Sequence, residues 1–291
     1  MAPTRHPLGN GRWHWQHGPI DLVITAEDDL RAVAVAHEVA WLRFQTVLEE
    51  LVAELPLLRR PVGDACPLRG VIARRMWRAC APFATAGFIT PMAAVAGAVA
   101  DEIIAAYRRD GITRAWVNNG GDIALHLAAG ASVRVGLVAD ISHHQAGGSV
   151  ALDGRFELRA DSPVRGIATS GWRGRSFSLG IADSVTVLAR TAAQADAAAT
   201  VIANAVNLDD TRIVRRPANA LKDDSDLGDI LVTVDVPKLP GESIASALRQ
   251  GAARARELHA AGLIAAAALT AQGQRVQVGG ATIAPLSLAA A

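Results

Sequence analysis

Cysteine, lysine and aromatic residues are all scarce in this 291-residue chain, and each scarcity excludes something. Two cysteines, Cys66 and Cys80, are too few for a disulfide framework and have no metal-pair spacing, so they read as free thiols of a reducing compartment. Only two lysines occur, Lys222 and Lys238, and the cationic side is carried by arginine against 28 acidic residues, for a net charge of +1. That balance does not advertise the basic face that phosphate-backbone binding needs, so no nucleic-acid partner is expected. The N-terminal residues lack the apolar run of a signal peptide, and the most apolar stretch, Ala260 to Gln272, is too short to span a bilayer. No membrane association and a cytoplasmic location are therefore expected. P-loop, Rossmann-glycine and nucleophile-elbow patterns are absent too.

What is present is an apolar chain, 51% hydrophobic and rich in alanine, long enough to bury a substantial core. Arg12 to Trp15, the Gly18-Pro19 turn and Ile20 to Thr25 read as a hairpin, with Trp13, His14 and Trp15 on its faces. Helical spacing runs from Glu27 to Leu58, with Thr25 and Asp28 as a capping box; a basic helix follows over Leu68 to Cys80. Thr90-Pro91 opens a small-residue helix that runs to about Arg109. Short strands are expected at Thr113–Asn118, Asp122–Leu127, Ser132–Ala139, Ser149–Leu158 and Arg165–Ser170, with a longer one at Ser176–Ala189. An Ala-rich helix over Ala192 to Val206 follows. After a solvated loop at Asp209 to Asp229 come a strand at Ile230–Val236, a long helix at Ser243–Ala271 and a closing strand at Arg275–Ile283. Runs of strands separated by helices indicate an α+β fold, with mixed or antiparallel sheets packed on Ala-rich helices, in one domain over 1–291. The helix–strand–strand order recurs loosely in the two halves, which hints at an internal duplication.

Three segments can carry chemistry. Thr191 and Gln194 form a capping box that fixes the frame of the Ala-rich helix, and Asp196, Thr200 and Asn204 then share one face. A carboxylate and a hydroxyl one turn apart can give two oxygens to a hard cation such as Mg²⁺; a solvent-facing polar stripe explains the same spacing. Asn119-Gly120-Gly121-Asp122 is a hairpin signal whose glycines would also let backbone approach a ligand, with the amide turned to phosphate or a ring edge. Gly166 to Arg175, with Thr169-Ser170-Gly171-Trp172-Arg173 at its centre and Arg175 at its end, offers hydroxyls and guanidinium for phosphate and an indole for stacking, or simply a polar turn. His143 and His144 sit in a Gly-rich loop with no cysteine or carboxylate cluster near them in sequence, and read as solvated.

The order of these segments resembles the ApbE-like family, the relatives of FAD:protein FMN transferase, and within it an uncharacterised compact cytosolic branch. The likeness rests on Thr90 to Gly97 with Asp101, on Val117 to Asp122, on Thr169-Ser170-Gly171, on Ser184-Val185-Thr186, and on Ala195-Asp196 with Thr200. It covers about residues 85–207, while 11–80 and 230–283 would complete the fold. It implies an ApbE-like fold that binds FAD or FMN with Mg²⁺, the family's metal-binding Asp and Thr being Asp196 and Thr200. Gly97 belongs to the family's helix glycine, Gly120, Gly121 and Asp122 to its glycine–aspartate turn, and Thr169 to Gly171 to its flavin-side loop. The implied activity is FMN transfer to an acceptor protein or cleavage of the FAD pyrophosphate. The alternatives are a non-catalytic flavin binder that assists assembly of a redox enzyme, and an enzyme that reuses the pocket for another small molecule, as in ring or amide hydrolysis. Two departures stand out. The family's Lys before the helix glycine is Ala96 here, and its His after the Thr-Ser-Gly loop is missing around Phe177. Asp183 is the catalytic candidate left in that stretch, although a carboxylate does not supply a neutral-pH base as His does.

Overall fold

The computed structural model describes residues 2–137 and 154–280. Its frame is a nine-stranded sheet in the order β1-β2-β3-β4-β5-β8-β9-β12-β13, every neighbouring pair antiparallel. The strands are β1 (Thr4–Gly9), β2 (Arg12–His17), β3 (Ile20–Asp28), β4 (Ile112–Asn119), β5 (Asp122–Leu127), β8 (Gly166–Ser170), β9 (Ser184–Ala189), β12 (Ala266–Ala271) and β13 (Gln274–Gly279). A ribbon of β6 (Ser132–Leu137) and β7 (Gly154–Arg159) and a pair of β10 (Val214–Pro217) and β11 (Leu231–Asp235) stand apart from it. This is the α+β architecture the strand runs implied. Helix followed by hairpin occurs twice, as α4 (Val95–Ile104) before β4–β5 and as α6 (Gly241–Ala260) before β12–β13.

One face of the sheet is covered by α1 (Leu30–Ala53), α4, α5 (Ala192–Ala205) and α6, which pack on β3, β4–β5, β8–β9 and β12–β13 respectively. Alanines at 98, 100, 195, 197, 198, 199, 203, 247, 252 and 255 are buried there. Their small side chains let α4, α5 and α6 approach each other and the sheet closely. On the opposite face, Leu125, Leu127, Phe156, Leu158, Ile167, Leu188 and Ala268 form a second, smaller core beneath the β6–β7 ribbon. Central strands β9 and β12 are thus buried on both sides, and successive residues point into different cores: Ala267 and Leu269 into the large one, Ala266 and Ala268 into the small one.

Several elements differ from the sequence-based expectation. β3 continues to Asp28, where a bulge gives that residue a φ of 118°, so the expected Thr25–Asp28 capping box does not form and Asp29 caps α1, its Oδ1 accepting from the N–H of Arg31 and Ala32. The basic helix starts at Val71. The turn after Thr90 is a short 3₁₀ segment, Pro91–Ala94, before α4 proper. Residues 176–183 are not strand: Gly180 packs so tightly on the end of α5 that a Cβ would lie 2.0 Å from the Ala203 carbonyl oxygen. The expected solvated loop at 209–229 contains β10. The largest error lies in the long helix, which ends at Ala260; Ala266–Ala271 is a central strand. Gln272 and Gly273, both at positive φ, then turn the chain tightly into β13. A fully buried strand shows no polar alternation, so a run of alanines reads as helix. His143 and His144 lie outside the described residues, as do parts of the strands expected at 132–139, 149–158 and 275–283.

Candidate functional site

The β4–β5 turn is Gly120-Gly121, with φ of 65° and 113°, the double positive φ that suits a two-residue hairpin and that only glycine adopts without strain. Asn118 closes it by accepting from the Gly121 N–H at 2.8 Å. Gly120 also lies under the Arg175 guanidinium, where a Cβ would come within 2.0 Å of Nη2, whereas Gly121 faces open space. The flanking residues tie the turn to its surroundings. Asn119 donates to the Ala96 carbonyl at 3.1 Å, and Asp122 Oδ1 accepts from the Thr169 N–H on β8 at 3.2 Å. Thr169 and Thr186 hydroxyls meet at 2.9 Å across β8 and β9.

Above this turn, α4 and α5 exchange carboxylates. Asp196 on α5 accepts from the Gly97 N–H at 3.0 Å in the first turn of α4, and the Ala96 N–H also bonds it. Asp101 on α4 accepts from the N–H groups of Ala192 and Ala193, the first two residues of α5, at 3.1 and 2.9 Å. Each helix thereby satisfies donors that the other's N-terminus leaves free, with the negative charge where the helix dipole favours it. Gly97 serves this crossing directly. A Cβ there would sit 2.3 Å from the Ala192 carbonyl oxygen, so close helix packing, not ligand approach, requires the glycine.

The electrostatics are set first by burial and, at Asp196, then by like charge. Burial raises the Asp122 carboxyl to about 7, opposed by the Thr169 N–H and the Arg175 charge. Asp196 is raised well above the carboxylate range, first by desolvation and then by the charge of Asp122, with Asp101 adding to it; the N–H groups of Gly97 and Ala96 pull the other way. The same Asp196 charge, after burial, raises the Cys80 thiol. Asp122 and Asp196 therefore form an interacting pair that loses its protons in two steps belonging to the pair rather than to either residue. Thr200, one turn further along α5, is half-buried and its hydroxyl makes no hydrogen bond among the described residues. Asn204, the third member of the stripe, is committed elsewhere, accepting from the Leu179 N–H at 2.9 Å and from Ser178.

The fold therefore brings together Gly97, Asn119, Gly120, Gly121, Asp122, Thr169 and Asp196. Ser170 follows Thr169 at the end of β8, half-buried. Gly171, Trp172 and Arg173 are held differently. Gly171 packs on the Asp183 carbonyl, 2.2 Å from where a Cβ would be, and Trp172 donates its main-chain N–H to Ala182. The Trp172 indole packs on the main core with its N–H buried and unpartnered, and Arg173 lies over the ring at 4.7 Å. Asp183, the catalytic candidate, is held by Arg173 at 3.2 Å and by the Gln272 N–H at 2.5 Å. Asp101 stood in the motif order with no role of its own, and Arg175 is the second arginine of the segment expected to meet phosphate.

Among the described residues, no three His, Cys, Asp or Glu groups converge as a metal cluster, and no helix is long and apolar enough to cross a membrane. Cys66 and Cys80 are free.

The family model described as AbpE bacteria matches residues 4–277. A UPF0280 protein of Methanosphaerula palustris is 36% identical over 197 residues, covering 67% of this chain and 77% of the relative. UPF0280 proteins of Methanospirillum hungatei and Methanothrix thermoacetophila are 39% and 36% identical, covering 44% and 57% of this chain. The chain spans 50% and 66% of the length of those two relatives. Among solved structures, the apo flavinyl transferase ApbE of Pseudomonas stutzeri aligns with a TM-score of 0.46 at 13% identity, covering 95% of this chain and 93% of that one. A mutant of the Vibrio cholerae flavin transferase ApbE aligns with a TM-score of 0.43 at 12% identity, covering 96% of each. The match along nearly all of the described chain, together with the motif order from Thr90 to Thr200, places this protein in the AbpE bacteria family, the ApbE-like family to which its sequence pointed.

Proposed function

We propose that this protein binds a flavin nucleotide, FAD or FMN, together with Mg²⁺, and that the site lies where the start of α4, the Gly120-Gly121 turn and the Asp196–Thr200 face of α5 meet. One observation carries the reading: Asp122 and Asp196 are recessed carboxylates, both raised by burial and Asp196 further by the charge of Asp122, and a divalent cation relieves that cost. The donor set fits Mg²⁺ rather than Zn²⁺ or Ca²⁺. Mg²⁺ needs only one or two carboxylates, with water and ligand phosphate oxygens filling an octahedral shell, whereas the other two demand more protein ligands than converge here. Asp196 would supply the carboxylate and Thr200 its unpartnered hydroxyl. Bound there, Mg²⁺ neutralises charge on a pyrophosphate. Arg175 over Gly120 is placed to pair with phosphate, and Thr169 and Ser170 supply hydroxyls beside it.

Flavin binding is proposed to outlast flavin transfer. Transfer of FMN to a Thr or Ser hydroxyl of an acceptor protein breaks the FAD pyrophosphate, releases AMP and requires a base for the hydroxyl proton. Asp183 is engaged by Arg173 and Gln272, and Phe177 and Ala96 bring neither an imidazole nor an ammonium. That favours a flavin binder, an assembly partner of a redox enzyme, over a fast transferase.

The test is thermal melting of the purified chain with FAD, with and without Mg²⁺. At FAD about 100-fold above its Kd the gain is about 2.7 kcal/mol, roughly 5 °C for a chain of this size. Asp196→Asn keeps an oxygen for the Gly97 N–H, so the apo fold should survive while the Mg²⁺-dependent part of the shift disappears. A full Mg²⁺ response in that variant would sink the assignment. In the same samples, covalent FMN on an acceptor domain, read by in-gel fluorescence, should form about 10²- to 10⁴-fold more slowly than with an authentic transferase.

A further inference from the structure

At the other end of the same strands lies a second site of different character. An open cleft of about 740 Å³ is formed where β4 begins, β5 and β9 end, and the chain enters β8. Asn119 and Thr113, at the two ends of β4, are separated by roughly 20 Å at the usual rise per residue, so this cleft and the Asp122–Asp196 site are distinct. Its walls carry four arginines, Arg108, Arg109, Arg165 and Arg190, together with His126.

The cations of this cleft are not neutralised by the protein. The side chains of Arg108 and Arg190 are exposed and make no hydrogen bond or ion pair among the described residues, although the Arg108 charge reaches Asp101. Arg109 has a buried Nε with no partner, a donor that costs free energy until something accepts from it. Arg165 is fixed in place by the carbonyls of Ala160, Ser162 and Val164, all neutral acceptors, so its full charge remains. Two acids, Asp28 and Asp110, share the rim, and Asp28 is engaged by the Thr113 hydroxyl. Four guanidiniums against two carboxylates leave a net positive cleft. The neighbours register that field. His126 is held below its ordinary value by burial and then by the charges of Arg108 and Arg165, and Arg165 is itself lowered by burial and by Arg108. The His126 Nε2–H donates to the Ile112 carbonyl at 3.0 Å, so in the neutral ring Nδ1 is the acceptor nitrogen.

We propose that this arginine cleft is a binding site for a small, multiply charged oxyanion of the phosphate or pyrophosphate class, separate from the Asp122–Asp196 site. Guanidinium forks match the oxygen spacing of such groups and hold them with paired, charge-assisted hydrogen bonds. A neutral His126 adds an acceptor suited to a protonated phosphate or a ligand hydroxyl. The cleft is wide enough for a phosphorylated metabolite rather than for a bare ion alone.

The probe is inorganic pyrophosphate, titrated into the full chain by calorimetry at constant ionic strength, because unscreened attraction to any basic surface must be held fixed. The wild-type chain should bind saturably at one site. Arg108→Ser and Arg190→Ser, both at exposed side chains, should each weaken binding by about tenfold or more, the usual scale for a lost charged hydrogen bond. Asp196→Asn should bind pyrophosphate as the wild type does, which separates this site from the flavin proposal. As a measurement independent of the variants, pyrophosphate should protect Arg108, Arg109 and Arg190 from phenylglyoxal, mapped by peptide mass. The proposal is overturned by absence of saturable binding, by unaltered affinity in the Arg108→Ser/Arg190→Ser double variant, or by protection of other arginines. Binding of duplex DNA with no binding of pyrophosphate would also overturn it, in favour of a polyanion surface.

Discussion

Replacing Asp122 by Asn tests the electrostatic basis of the site without any ligand. In the unfolded chain this carboxyl ionises near 3.8, and in the fold burial raises it to about 7. Between those values the native state holds a proton that the unfolded state has released, so its contribution to stability is full below about pH 4 and is lost as pH rises through 7. The span of about 3 pH units corresponds to at most about 4 kcal/mol. Asn cannot ionise, and its Oδ1 can still accept from the Thr169 N–H. At pH 8 in EDTA the variant should therefore exceed the wild type by up to about 4 kcal/mol, roughly 8 °C in Tm, and at pH 4 it should show no such gain. An unpaired amide nitrogen would subtract about 1–3 kcal/mol at every pH, and that constant offset does not alter the slope. The decisive quantity is thus the variant-minus-wild-type difference measured by thermal or urea melts from pH 4 to pH 8. A difference that does not change across that range would refute a raised Asp122 and, with it, the recessed carboxylate pair that invites a cation.

Two further variants probe the helix crossing that holds the site. Gly97→Ala puts a methyl 2.3 Å from the Ala192 carbonyl oxygen, main chain that cannot rotate away, and should cost about 1–3 kcal/mol; a melt indistinguishable from wild type would mean that α4 and α5 are not packed this closely. Asp101→Ala leaves the buried N–H groups of Ala192 and Ala193 without their acceptor and should lower stability by about 2 kcal/mol or more, with Asp101→Asn falling between. Equal stability for the Ala and Asn variants would show that water replaces the carboxylate there.

Much of this protein was legible in sequence because local rules fix it. Asn119-Gly120-Gly121-Asp122 is a hairpin wherever it occurs between strands, since few residues other than glycine enter positive φ cheaply, and the turn stands where it was expected. Thr191 caps α5 by accepting from the Gln194 N–H, and this fixed Asp196 and Thr200 on one face. Segments whose state depends on burial were not legible. Ala266–Ala271 has helical propensity, yet it is a central strand because two cores close over it and Gln272-Gly273 returns the chain beside it. The polar stripe on α5 could have faced water. Only the tertiary structure gave its members different fates: Asp196 at the start of α4, Asn204 on the Ser178–Leu179 backbone, and Thr200 with its hydroxyl free. The arginine cleft has no sequence signature at all, because Arg108, Arg165 and Arg190 belong to segments that meet only when antiparallel strands bring their ends together. Sequence determines what a few neighbouring residues do to their own backbone; which charges share a dielectric, and so what they bind, is decided by contacts far apart along the chain.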